Sequence, residues 1–510
     1  MFCLFMSLCF ETLAHSPFTS RLLLIPLDDR PPCLQFPTKM GLIGDVELVT
    51  PPRHLLGRFT QFGKCDSIIL WLKKQDLTRF DAAIISMDML AYGGLVASRV
   101  HETPLEKAAI RLEIIKEIRQ KAPSIKIYGS SVIMRLAPTG DGKNEAYREK
   151  LARWADYSPY PENKEIVEKL EHEIPAEALA NYKQARERNL KINKIAVELT
   201  QNKVFDYLIL SQDDAKPKGV HVRDRETLME IVKTLNLSDK IAIQPGADEV
   251  SMLLLARAMS DKYQYHPKIK VLFSSDSMAN QTMPYEDRPL SKTVSFHLKA
   301  VGAEEISDAQ QADILFYVFT SRFEKGRAES FANEIHKNAN KPIIIADIDP
   351  KGDVQGGDTL FTEGVLSHAI FQKIYGYACW NTAGNTIGTA LPHGILYGIS
   401  KEVSKGKIKN KVKKRMAYAQ KWFIFNRLLD DFTYHSIVRP KVSTLIKQNK
   451  WNAFRLNDVE TGIVKYNCLK ELQPLAVRLA EKLNFKIADL TFDLPWNRTF
   501  EAEIDFTIKK

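Results

Sequence analysis

Asp213 and Asp214 stand side by side at once after the apolar run YLILS, in the segment SQDDAKPKGVH. Paired carboxylates in a cleft can part their pKa values, one remaining an acid while the other is ionised. Cleavage of a glycosidic bond needs such a pair. An adjacent Asp-Asp also suits substrate-assisted hydrolysis, where an amide of the substrate is the nucleophile. The competing reading is a capped turn, because Asp is favoured there. QPGADE supplies two reserve carboxylates, Asp248 and Glu249, which would equally suit the positive start of the following helix. Asp213, Asp214, Asp248 and Glu249 are therefore the candidate catalytic residues.

PLDDRP brings Asp28, Asp29 and Arg30 between Pro26 and Pro31, whose rings stiffen the loop. An Asp beside an Arg can bind sugar hydroxyls or orient another group, or simply clamp the loop. Asp88, Arg135, Gln212, Asn381 and Asn385 also follow apolar runs, and with the PLDDRP residues they form the candidate substrate-binding set. Trp380 could stack on a sugar face or lie in the core. ADIDP sets Asp347 and Asp349 two apart, on one side of an extended segment. With Asp358 they would form a divalent-cation site, the alternative to a cofactor-free reaction.

Other chemistries find little support. There is no HxH or HExxH among the 11 His, which disfavours a zinc enzyme. No G-x-G-x-x-G, P-loop lysine or G-x-S-x-G is present, against nucleotide enzymes and serine hydrolases of those types. The 6 Cys form no CxxC pair and read as isolated thiols. The net charge of +10 is concentrated between Lys401 and Arg415, with eight Lys or Arg against Glu402 alone. That run reads as a solvated helix face, and nucleic acid is not expected as a partner.

The elements that must position these residues are short apolar runs, each ending at one of the polar groups. Strands are expected at 21–27, 46–50, 82–87, 125–133, 206–210, 241–244, 269–274, 312–318, 342–346 and 376–380. Helices at 104–120, 224–235, 248–260, 289–301, 325–338, 358–374 and 383–400 alternate with them. Such βαβ alternation predicts an α/β fold with parallel strands. Eight main strands point to a (β/α)8-barrel-like catalytic domain, with doubly wound sheets as the alternative. In either, the strand ends share one rim, where α/β proteins build their sites.

The chain of 510 residues exceeds one ordinary core. Residues 20–400 are expected to form the catalytic domain, with a charged helical insert at about 143–200. Residues 401–510 form a mostly helical C-terminal region, with helices near 410–430, 437–448 and 468–484 and a last strand in FEAEIDFTI. Residues 1–16 read as a signal peptide clipped at its basic end. Periplasmic or secreted localisation follows, and a cytoplasmic one if that reading fails. No other apolar stretch approaches the roughly 18 residues of a membrane span.

PLDDRP, SMDMLAYGGLVASR (86–99), QDDA (212–215), GADE (246–249) and WNTAGNT (380–386) together resemble a bacterial family, domain of unknown function 4127 (DUF4127). The resemblance runs from about residue 21 to the C-terminus. At the level of architecture and the Asp-Asp pair, the chain also resembles glycoside hydrolases acting on N-acetylhexosaminides. The expected function is hydrolysis of a glycosidic bond in a carbohydrate substrate. The alternatives are a divalent-metal-dependent hydrolase or lyase, and a non-catalytic carbohydrate-binding protein. Oligomeric state is not read from the sequence.

Overall fold

Apolar runs without polar alternation predict strands covered on both faces, and the runs pair accordingly. In the computed structural model, which describes residues 18–367 and 370–509, β1 (Ser20–Ile25), β2 (Val46–Val49), β3 (Ala82–Ser86), β4 (Lys126–Ile133), β5 (Tyr207–Gln212) and β6 (Ile241–Pro245) form one parallel sheet in the order β2-β1-β3-β4-β5-β6. A second sheet holds β7 (Lys268–Phe273), β8 (Glu304–Glu305), β9 (Ile314–Phe319), β10 (Ile343–Asp347) and β11 (Ile374–Ala378) in the order β11-β10-β9-β7-β8, also parallel. The expected leader at 1–16 lies outside the described residues.

The strands thus form two open sheets and do not close into the single ring of a barrel. The doubly wound alternative is the arrangement found. Both sheets share a logic: the second strand lies outside the first, and the third starts the run in the other direction. This leaves a crevice where the order reverses, between β1 and β3 and again between β7 and β9. An eight-strand count cannot reveal this division, because each βαβ unit looks alike in sequence whichever sheet it joins.

The strand β1 shows the period of two directly. Leu22 and Leu24 enter the larger core, which continues through the helix Val250–Tyr263 and the second sheet to the helix Ala383–Lys405. Leu23 and Ile25 enter a separate core on the other face. The long helix packs closely on β11 because Gly376 faces it: a Cβ there would collide with the Ala390 carbonyl.

Between β4 and β5 the expected insert is present as three helices, Arg148–Tyr157, Lys164–Glu173 and Ala176–Gln201. In the C-terminal region the helices Asn410–Arg427 and Arg439–Gln448 are joined without a break by a π-helical stretch, Leu428–Val438. The next helix begins at Asp458, ten residues before the expected 468, where Asn457 and Glu460 form a capping box. The region ends in an antiparallel hairpin of β12 (Lys486–Asp493) and β13 (Glu503–Lys509). The strand β12 escaped the sequence reading because most of its side chains are exposed or half-exposed. No helix among the described residues is long and apolar enough to cross a membrane.

Candidate functional site

The loops that follow the strands of both sheets meet the C-terminal region around a cleft of about 580 Å³. The loop after β1 contributes Arg30, that after β3 Arg99, and that after β4 Arg135. Asp213 and Asp214 come from the end of β5, and Asp248 from the end of β6. The second sheet adds Gln355 after β10, and Asn381 and Asn385 after β11. The C-terminal region closes the far side with Arg439, Arg455 and Arg498.

Arg30 organises the deepest part. Its Nη2 donates to Asp28 Oδ2 at 2.7 Å and to Asp248 Oδ1 at 2.6 Å, and its Nη1 donates to Asp248 Oδ2 at 3.0 Å and Glu501 Oε1 at 3.2 Å. Three carboxylates thus share one buried guanidinium, with Arg498 joining at Glu501 through Nε at 2.7 Å. Three negative charges against two positive ones leave an excess that one proton would remove. Burial pushes the Asp248 carboxyl up to about 7, with Asp28 and Glu501 reinforcing and Arg30 opposing the rise. Burial would also raise Glu501, but Arg498 and Arg30 outweigh it and hold that carboxyl low. The Trp496 ring packs against both Arg30 and Arg498, each guanidinium carbon 4.6 Å from its centre.

Asp213 and Asp214 lie just past the end of β5 and take different partners. Asp213 is buried and accepts from Arg99 Nη2 at 2.6 Å and Nε at 3.1 Å. Arg99 is pushed below its ordinary value by burial and by nearby Arg135, with Asp213 and Asp214 opposing. Asp214, its side chain 37% exposed, is paired with Arg135. Its φ of +28° lies in a region that side-chain-bearing residues seldom adopt.

The remaining expected residues stand behind the wall. Asp28 reaches the cleft only through Arg30. Asp29 accepts from Trp496 Nε1 at 2.7 Å and so fixes that ring. Asp88 is buried and accepts the Val132 amide at 2.9 Å, tying a helix start to β4; burial pushes it up to about 7. Gln212 donates to the Ile133 and Asp213 carbonyls and shapes the β5 loop. Glu249 turns away: its Oε2 accepts the Ala247 amide at 3.1 Å, and its Oε1 lies 3.6 Å from His297 Nε2 in a fully buried pocket. Trp380 belongs to the core, edge-on to Phe36 and donating to Thr389 Oγ1.

The carboxylates considered for a cation are already engaged. Arg322 donates to Asp347 Oδ1 at 3.0 Å and lies 3.7 Å from Asp349 Oδ2. Asp347 Oδ2 accepts the Asp358 amide, and Asp349 accepts the amides of Lys351 and Val354. Asp358 Oδ1 in turn caps the Phe361 amide at 2.8 Å. Among the described residues, no group of three His, Cys, Asp or Glu is placed to hold a metal ion.

Sequence reasoning missed most of the arginines: Arg99, Arg148, Arg439, Arg455 and Arg498 all line the cleft. The one local signal was WNRTF at 496–500, which sets Arg498 between a Trp and a Phe in a loop. The sequence profile of the family described as protein of unknown function (DUF4127) matches residues 22–505, which makes the chain a member of that family. No curated protein matches it.

Proposed function

We propose that this DUF4127 chain is a glycoside hydrolase with Asp248 as the proton donor and Asp214 as the partner carboxylate. The observation that carries the reading is the contrast between these two groups in one cleft. Asp248 is buried, shares its arginine with two other acids, and is pushed up to about 7. Asp214 is partly open to the cleft and paired with a guanidinium of its own. A buried carboxyl that keeps its proton near neutrality, with a second carboxyl open to the same cleft, can take the acid and base roles of glycosidic cleavage.

In the reaction the Asp248 proton passes to the glycosidic oxygen as its bond to the anomeric carbon breaks. Asp214 either takes a proton from the attacking water or bonds to the anomeric carbon, an intermediate that water then releases. Asp213, locked to Arg99, holds the β5 loop so that Asp214 faces the cleft. Arg30 keeps Asp248 in place and limits the rise of its pKa. Tyr285 (50% exposed) and Phe454 (62% exposed) offer free aromatic faces to a sugar ring. Asn385 Oδ1 is buried with no partner among the described residues, as an acceptor reserved for a ligand hydroxyl would be.

The test is a panel of glycans and aryl glycosides incubated with purified protein. Release of a reducing sugar by the wild type, lost in Asp214→Asn, is the expected result. Absence of product from every glycoside, or full turnover in Asp214→Asn, would overturn the proposal. Saturable sugar binding without product would point to a carbohydrate-binding protein.

A further inference from the structure

Of the seven arginines on the cleft wall, Arg30, Arg99, Arg135 and Arg498 are neutralised by acids. The other three, Arg148, Arg439 and Arg455, have no carboxylate within ion-pair distance among the described residues. Their stems are nonetheless held. Arg148 Nε donates to the Pro138 carbonyl at 2.9 Å, and Arg455 Nη1 to the Asp141 carbonyl at 2.8 Å. The Arg439 guanidinium lies 5.6 Å from the centre of the Phe500 ring. Backbone carbonyls and a ring face orient a guanidinium without cancelling its charge.

One loop gathers two of them. Gly140 lies against Arg148, and Gly142, at φ +75°, lies against Arg455. A Cβ on Gly142 would collide with Arg455 Nη1, so the bare glycine lets that guanidinium sit on the loop. The two arginines come from distant parts of the chain, one opening the helical insert and one from the C-terminal region. Both close on residues 140–142, next to the exposed ring of Phe454. The unpaired acids of the wall, Glu145 and Asp353, are both exposed to solvent, where water screens them. A planar fork with several N–H groups fits the flat or tripod oxygens of a carboxylate, sulfate or phosphate.

We infer that the sugar bound in this cleft carries an anionic substituent, gripped by Arg148 and Arg455 with Arg439 facing them. The sugar part of this inference rests on the glycosidase reading; the anion part rests on the arginines alone. A neutral glycan would leave these three cations, Arg455 exposed and Arg148 and Arg439 half-buried, without a counter-charge, whereas an oxyanion would complete them.

The experiment is binding calorimetry on the full chain with glucuronic acid, N-acetylglucosamine 6-sulfate and glucose 6-phosphate, each against its uncharged parent sugar. At least one charged probe is expected to bind about tenfold tighter than its parent or better, and to weaken as salt rises from about 50 to about 500 mM. Arg148→Ala and Arg455→Ala should each lower that affinity by about 10- to 100-fold, the cost of one charge-assisted contact, with little change for the parent sugar. The tightest of the three probes identifies the oxyanion. Equal binding of charged and neutral sugars, no binding of any probe, or unaltered affinity in both variants would overturn the inference. The comparison within the wild type needs no variant to fold. Tight charged-sugar binding with no glycoside cleaved would leave the inference standing and sink the hydrolase reading. Cleavage of neutral glycosides alone would do the reverse.

Discussion

Replacing Asp248 by Asn tests the central assignment in two independent ways. Both Asp248 oxygens accept from Arg30, at 2.6 and 3.0 Å. An amide can offer only one acceptor there, so Asp248→Asn loses a charge-assisted bond worth about 1.5–3 kcal/mol. The native carboxyl, however, stands at about 7 in the folded chain against an ordinary value of 3.8. A folded-state value above the unfolded one means that the folded form holds the extra proton. The resulting stability is fully present below about pH 4 and is lost as the pH rises through about 7. With Asp248 only 8% exposed, the full span is about 4 kcal/mol at most, at 1.36 kcal/mol per pKa unit. The stability of wild type relative to Asp248→Asn should therefore fall between pH 4 and pH 8, by about 4 kcal/mol at most. Urea unfolding of both proteins across this range measures it, and subtracting the two curves cancels the other raised acids, Asp88 and Glu286 among them. In catalysis the variant should lose about 10²–10⁴-fold in kcat on substrates whose leaving group needs a proton. It should lose far less on aryl glycosides with an acidic leaving group. The wild-type rate should fall as the pH rises through about 7. A stability gap that is flat with pH, together with equal losses on both kinds of substrate, would refute the reasoning.

The Asp-Asp pair should divide in its response. Asp213→Asn strands Arg99 in a buried pocket and should cost about 3–5 kcal/mol, visible as a lowered Tm. Asp214→Asn, half-open to solvent, should cost under about 1 kcal/mol and yet lose turnover. The difference between the two variants comes from Arg99, which loses its buried partner only when Asp213 is replaced. Chelation by EDTA should leave turnover unaltered, since Asp347 and Asp349 are engaged by Arg322 and by backbone amides. Loss of activity in EDTA, restored by magnesium, manganese or calcium, would instead establish the metal-dependent alternative.

By itself the sequence determined the order and type of nearly every element in the two sheets. Short unbroken apolar runs alternating with amphipathic helices fit parallel strands covered on both faces, and each carries its polar residue to the same end. It followed that Arg30, Arg135, Asp213, Asp214, Asp248, Asn381 and Asn385 share one rim, and the cleft holds all seven. Tertiary structure decided the rest. Sheet partition depends on which strand each crossover returns to, and βαβ periodicity is blind to that choice. Whether a rim residue faces the cleft or the interior depends on a single turn, so Asp88 and Glu249 went inward while Asp214 went out. The arginines were invisible because they come from the β3 loop, the insert and the last hundred residues. A lone Arg in a loop has no period or partner in sequence; its role is set by the carboxylates that long-range packing brings beside it, or leaves absent.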